Sequence, residues 1–267
     1  TAAIPVLSVL GATPHPIVTE VLTGQGGYSV RYSRDLTEML PEYIKAWKEN
    51  NATFDAIYSG YLTGDKQIDY VLEFLDEFKK DDTFVLIDPV MGDNGKMYSI
   101  FSEELLCKMR KLTSKAHLIT PNITEACLLA GIDYNELCNI DEANELINRV
   151  YEIGNILRNK ALTEQDVVIT GVKSMYDGRP YIYNVAITNA GGDYYRSHFF
   201  DRSFSGTGDL FSSAMCGLKL TGMDTIKSME IAGEFLYRSI ADTMNLNCIE
   251  KEGVEFEKHL ISLIKRM

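Results

Sequence analysis

No apolar run in the 267-residue chain approaches the ~20 residues that a membrane span needs; a stretch such as Ile4 to Leu10 is far shorter. No basic segment leading into an apolar one, the mark of a secretory signal, is visible. Positive charge is scarce: 26 Lys and Arg face 38 Asp and Glu, a formal net charge of −12. That balance excludes nucleic acid and anionic membrane surfaces as natural partners. An anionic ligand must instead be held by local devices such as a helix N-terminus, a glycine nest or a metal ion. Cysteine is sparse and scattered, at Cys107, Cys127, Cys138, Cys216 and Cys248, with no C-x-x-C pair. The odd count argues against a disulfide framework or a structural zinc site and for a reducing, cytoplasmic location.

Several catalytic signatures are missing as well. There is no G-x-x-x-x-G-K-[ST] loop and no G-x-S-x-G elbow. His15, His117, His198 and His259 form no H-E-x-x-H, and His117 leads an apolar strand as a structural residue would. No internal repeat, low-complexity tract or linker is present. Hydrophobic residues at 45% and charged residues at 24% are those of a folded globular chain.

Short apolar runs alternate with amphipathic stretches. Strands are expected over 16–22, 54–58, 84–87, 117–120 and 167–170, the last ending at Gly171. Helices are expected at Leu36 to Trp47, Ile68 to Phe78, Leu105 to Leu112, Asn122 to Ala130 and 141–160. Such alternation marks βαβ units around a buried parallel sheet. Residues 181–188 and 194–200 then alternate around Asn189-Ala190-Gly191-Gly192 and read as a hairpin. Three helices follow, near 207–221, 224–245 and 254–266. The expected fold is one α/β domain over 1–267, with an added antiparallel hairpin. Residues 1–10 read as the back half of a helix stopped at Gly11. A strand and loop of roughly 15–30 residues are therefore expected upstream.

Chemistry concentrates at the ends of these strands. Gly206-Thr207-Gly208-Asp209 opens an apolar helix. Its glycines admit a ligand close to the backbone, and the unpaired N–H groups of the first turn favour phosphate. A carboxylate there would repel phosphate as a mere cap and would serve as a base on an incoming hydroxyl, although a plain loop-to-helix turn explains it equally. Asp88-Pro89-Val90-Met91-Gly92-Asp93 follows a buried strand, and two carboxylates around a glycine suit one magnesium ion; a strand-end turn is the alternative. Thr120-Pro121-Asn122-Ile123-Thr124-Glu125 follows the next strand, where helix capping accounts for Asn122 and Glu125 on its own. Thr170-Gly171 closes a third strand. Together these positions line the carboxyl edge of one sheet, where open α/β folds bind ligands. An acidic cluster beside an anion nest suggests magnesium-assisted phosphoryl transfer.

These same segments, with Ser59-Gly60-Tyr61-Leu62, resemble the signatures of the ribokinase-like vitamin kinases, and within them the pyridoxal-kinase type. The resemblance runs in order along essentially the whole chain. It implies a three-layer α-β-α sandwich with a mostly parallel central sheet, and ATP-dependent phosphorylation of the 5′-hydroxymethyl group of a B6 vitamer. Asp209 would be the base, and Gly206, Thr207 and Gly208 the anion hole. Asp88, Asp93 and Glu125 would hold magnesium and the nucleotide phosphates, with Thr120, Asn122, Thr170 and Gly171 around the nucleotide. Tyr61 would face the substrate ring, with Gly26 and Leu22 beside it. ATP and Mg2+ are the implied cofactors, K+ a candidate addition, and a homodimer the implied assembly. Two departures stand out: the family's first strand is absent, and Gly26 stands where animal-type members carry threonine. The rivals are hydroxymethylpyrimidine kinase, whose members usually carry cysteine at the position of Asp209, and a non-catalytic nucleotide- or sugar-binding module.

Overall fold

The computed structural model describes residues 2–24, 28–99, 102–246 and 250–264; Gly26 and Cys248 lie outside them. The chain begins with α1 (Ala3–Val9), which stops before Gly11 at φ +88°, a left-handed turn that glycine accommodates. Residues 12–19 are irregular rather than the expected strand. The strand is confined to β1 (Glu20–Leu22), which leaves the main sheet and pairs with β2 (Ser33–Asp35) as a small antiparallel flap. A short 3-10 turn leads into α2 (Leu40–Glu49).

The core units follow in alternation: β3 (Ala56–Ser59), α3 (Asp65–Phe78) and β4 (Phe84–Ile87). A two-residue hairpin, β5 (Gly92–Asp93) and β6 (Lys96–Met97), precedes α4 (Glu103–Thr113) and β7 (Leu118–Ile119). Then come α5 (Ile123–Ala130), the one-turn α6 (Asn135–Cys138) and α7 (Ala143–Asn159). The sheet is completed by β8 (Asp166–Tyr176), β9 (Arg179–Thr188) and β10 (Gly191–His198). Helices α8 (Thr207–Leu220), α9 (Thr225–Met244) and α10 (Leu260–Ile264) end the described chain.

The main sheet runs β10-β9-β8-β7-β4-β3, with β3, β4, β7 and β8 parallel. Three expectations are corrected here. The strand read as ending at Gly171 passes through a register shift between Ile169 and Val172 and continues to Tyr176. The hairpin is thereby part of a three-stranded meander fused to the parallel sheet rather than an appendage. The final helix is also shorter than expected, because residues 254–259 are irregular and 3-10 before α10 starts.

Alternating strand residues point into two apolar layers. Val85, Ile87, Ile119, Val167 and Ile169 pack among residues of α2, α3, α4, α5 and α7. Leu86, Leu118 and Val168 face the other way, onto α1, α8, α9 and α10. Strands buried on both faces must be apolar throughout, which is why 84–87 reads as an unbroken run. Each such side chain contributes ~1.5–3 kcal/mol relative to an exposed one. The four described cysteines are free. Among the described residues no helix is long and apolar enough to cross a membrane.

Candidate active site

Parallel pairing brings the strand ends to a common edge. The Asp88 N–H donates to Ser59 O at 2.8 Å and the Thr120 N–H to Ile87 O at 3.2 Å. The Thr170 N–H donates to Pro121 O at 2.9 Å, and Asn122 and Thr170 form a parallel bridge. Gly171 follows at φ +73°, the left-handed step that lets β8 bulge at this point.

Asp88 and Glu125 are both buried. Burial, and then the charge of Asp209, push the Asp88 carboxyl above the usual carboxylate range, against a lowering hydrogen bond from Ser212. Burial, and then the charge of Asp88, push Glu125 up in the same way, against hydrogen bonds from the backbone of Met91, Asn122 and Gly92. Glu125 completes a capping box: its Oε2 accepts the Asn122 N–H at 2.8 Å while Asn122 Oδ1 accepts the Glu125 N–H at 3.0 Å. Its Oε1 accepts the Met91 N–H at 2.9 Å, which ties the loop after β4 to α5. Asn122 Nδ2 donates to Gly92 O at 2.8 Å and so fixes the β5–β6 hairpin. Asp93, on that hairpin, is exposed and accepts from the backbone and side chain of Asn94. The described residues contain no cluster of three or more His, Cys, Asp or Glu placed for a metal. Asp88 and Glu125 are therefore brought together, and Asp93 stays apart from them.

The residues present nonetheless fit a hard cation. Asp88 Oδ2 accepts one hydrogen bond, whereas Oδ1 accepts none from the described residues. Burial disfavours the ionised form of both acids, so a bound cation would be the counter-charge that lets them ionise together. Magnesium takes one or two carboxylates and completes its shell with water and phosphate oxygens, so one free carboxylate oxygen suits it.

Beside Asp88, Gly206 caps α8 at φ +82°, a left-handed conformation that glycine adopts readily. The first helical bond runs from the Leu210 N–H to Gly206 O at 3.0 Å. The N–H groups of Thr207, Gly208 and Asp209 precede it and have no carbonyl partner within the helix. Asp209 is accessible to solvent, and its carboxylate accepts no hydrogen bond from the described residues. Burial of its carboxyl raises its pKa. A raised pKa makes a stronger base. A Cβ on Gly60 would lie 3.9 Å from Asp209 Oδ1, and one on Gly208 would lie 4.0 Å from Asp88 Oδ2, so glycines keep both carboxylates approachable.

Tyr61 is 41% exposed at the mouth, in the loop after β3. Burial and the flap residue Glu20 raise its phenol pKa, while Arg31 of the flap lowers it. Leu22 lies on the exposed flap strand β1. Asp35 Oδ2 accepts from Thr63 Oγ1 at 2.6 Å, and the fully buried Gln67 donates to Thr19 O at 3.0 Å, which anchors the flap beside Tyr61. Lys251 Nζ lies 5.7 Å from the centre of the Tyr28 ring, so flap and C-terminal segment meet. A cavity of about 710 Å³ runs along the outer side of β3, between α1 and α2, and reaches Gly60 and Tyr61 but not the acidic cleft.

The sequence did not announce four neighbours. Tyr58, beside Asp88 and Asp209, has its phenol pKa raised well above normal by burial and by those two charges. Tyr98 sits in the field of Glu125, Asp93 and Tyr61. Ser212 and Ser213 read as ordinary members of an apolar helix, yet they bond to Asp88 and to the Asp209 carbonyl.

The family of phosphomethylpyrimidine kinases matches residues 2–253. A fission-yeast protein (Schizosaccharomyces pombe) provisionally called a pyridoxal kinase is 26% identical over 233 residues, 84% of this chain and 70% of that one. Two further yeast relatives are longer, and the chain spans 54% and 55% of them. A Bacteroides thetaiotaomicron protein provisionally called a phosphomethylpyrimidine kinase, in a crystal form with pyridoxal, is 32% identical. It superposes with a TM-score of 0.89 over 99% of this chain and 90% of that one. The pyridoxal kinase of Lactobacillus plantarum is 25% identical with a TM-score of 0.87, over 99% and 91% of the two chains. The ribokinase-like, three-layer fold expected from the sequence is thus present, and the chain is a kinase that belongs to the phosphomethylpyrimidine kinase family.

Proposed function

We propose that residues 1–267 act as a single kinase domain that transfers the γ-phosphoryl group of ATP to the 5′-hydroxymethyl group of a B6 vitamer. The observation that carries this reading is the placement of Asp209. Its carboxylate faces Gly60 and the Tyr61 loop on one side and shares the first turn of α8 with three unpaired N–H groups on the other. A hydroxymethyl group held against Tyr61 meets a base of raised pKa, while the phosphoryl group it attacks meets the helix N-terminus. Asp209 takes the hydroxyl proton as the new O–P bond forms. The backbone of Gly206, Thr207 and Gly208 stabilises charge on the transferred group. Asp88, with Glu125 behind it, would hold Mg2+, which when bound neutralises phosphate charge. Thr170, Gly171 and Asn122 border the same edge and suit the nucleotide phosphates; Asp93 lies on the hairpin that Asn122 fixes.

Pyridoxal in the crystal form of the 32%-identical relative supports a pyridine substrate. The family name keeps hydroxymethylpyrimidine as the rival substrate, and an aspartate at position 209 rather than a cysteine favours the vitamer. A homodimer belongs to the same proposal: Val30 and Tyr32 on the flap are 77% and 75% exposed, an apolar face that a second copy would cover. ADP release should be measured with pyridoxal, pyridoxine, pyridoxamine and hydroxymethylpyrimidine, with and without Mg2+. Mg2+-dependent turnover of a vitamer above that of the pyrimidine is expected. A preference for the pyrimidine overturns the substrate assignment.

A further inference from the structure

Asp88 has a partner that no strand-end motif contains. Ser212, in the second turn of α8, is 1% exposed, and its hydroxyl donates to Asp88 Oδ2 at 2.9 Å. Its Oγ also lies 2.9 Å from Thr120 Oγ1. A serine hydroxyl has one proton, and that proton is committed to the carboxylate. Thr120 is therefore the donor in the second bond, and the direction is fixed: Thr120 to Ser212 to Asp88.

The other buried serines on the helices of this chain behave differently. Ser213, Ser228 and Ser239 each donate to the carbonyl four residues back. That is the usual way a helix satisfies a buried hydroxyl. Ser212 instead sends its proton off the helix to a carboxylate. Among the described residues it is the sole hydrogen-bond donor to the Asp88 carboxylate. The relay also joins three elements: Asp88 follows β4, Thr120 follows β7, and Ser212 lies three residues after Asp209 on α8. Thr120, expected among the nucleotide ligands, has its proton turned into the protein.

We propose that Ser212 is a positioning residue. The Thr120–Ser212 relay holds the Asp88 carboxylate in one orientation, with Oδ1 presented to the cation that accompanies the nucleotide. This rests on the kinase reading above. A carboxylate held by a hydrogen bond loses no rotamer freedom when the cation arrives, and a charged hydrogen bond of this kind is strong. The relay also keeps Asp88 in a constant relation to Asp209, so cation and base are set by one helix.

The test is calorimetric titration of the full chain with ADP, in excess Mg2+ and in excess EDTA, together with steady-state kinetics and a melting curve. Wild type should bind ADP more tightly with Mg2+ than without. Ser212→Ala should weaken Mg2+-dependent binding about tenfold, which is ~1.4 kcal/mol. ADP binding in EDTA and the vitamer KM should stay unchanged. Ser212→Cys, close in volume with a weak donor, should show the same loss and covers the case in which alanine fails to fold. Thr120→Val should cost about two- to threefold, and nothing further in the Ser212→Ala background, while Thr120→Ser should match wild type. If both Ser212 variants fold and keep wild-type Mg2+ dependence, or lose EDTA-state ADP binding and vitamer affinity equally, the relay is structural and the proposal is overturned. A full additive effect of Thr120→Val overturns it too. A wild-type chain that binds no nucleotide overturns the kinase reading, and is told apart by the wild-type trace alone.

Discussion

Replacing Asp209 by asparagine separates the two things a carboxylate at a helix start can do. As a structural residue Asp209 contributes little: its carboxylate accepts no hydrogen bond from the described residues, and Gly206 caps α8 without a side-chain bond. Asparagine would lose the attraction of a carboxylate to the helix dipole, ~0.3–1 kcal/mol at a surface site. It would also remove the repulsion that raises Asp88. The two effects oppose each other, so the melting temperature should move by no more than a few degrees. As a base Asp209 matters far more. Removing a general base costs ~10²–10⁴-fold in turnover, or ~2.7–5.5 kcal/mol of barrier. The assay is ADP release at saturating vitamer and Mg·ATP, with calorimetric ADP binding as the control. Turnover should fall at least a hundredfold while ADP affinity holds or rises, since a negative charge leaves the phosphate site. In wild type the activity should fall with decreasing pH through an ionisation above the ordinary carboxylate range, because the base must be deprotonated and burial raises it. If the asparagine variant folds and keeps more than about a tenth of wild-type turnover, Asp209 is not the base.

Tyr61→Ala should raise the vitamer KM about fivefold and leave that of ATP near normal, since an aromatic ring contact is worth ~1 kcal/mol; an unchanged KM with the fold intact removes Tyr61 from the substrate site. Asp88 and Glu125 have raised pKa values in the folded chain, so it binds their protons more tightly than the unfolded chain does. The stability they contribute is complete below the ordinary carboxylate range near pH ~4 and is lost as pH rises through the raised values. The metal-free melting temperature should therefore drop between about pH 5 and 8, less so in Asp88→Asn, and a rise over that window contradicts the burial argument. Gly206→Ala meets nothing within 4 Å, so its cost is the left-handed backbone alone. That is ~1–2 kcal/mol, read as a melting shift, and turnover should drop as the anion loop moves; an alanine variant as stable as wild type would show that the loop is not strained.

Elements buried on both faces were the most legible. Residues 84–87 and 118–119 must be continuously apolar to sit inside a parallel sheet, and the polar residue after each run then marks the ligand edge. The strand-end positions of Asp88 and Thr120 were legible in this way, and the capping box at Asn122 and Glu125 by its spacing. The flap was not legible, because β1 and β2 are exposed and three residues long, with no buried face to impose alternation. The extension of β8 past Gly171 was hidden by its bulge, which breaks the period of two where glycine already suggests an end. Ser212 was invisible for a different reason. A serine among apolar helix residues looks like a tolerated polar group, and its partners lie 92 and 124 positions away in sequence.

Identification of the phosphorylated atom tests the central claim most directly. Pyridoxal, ATP and Mg2+ are incubated with the protein, and the product is examined by mass spectrometry and phosphorus NMR. Gain of one phosphate on the 5′-oxygen, abolished in Asp209→Asn, is the expected result. Phosphate on another oxygen, or nucleotide hydrolysis with the vitamer unchanged, would contradict it.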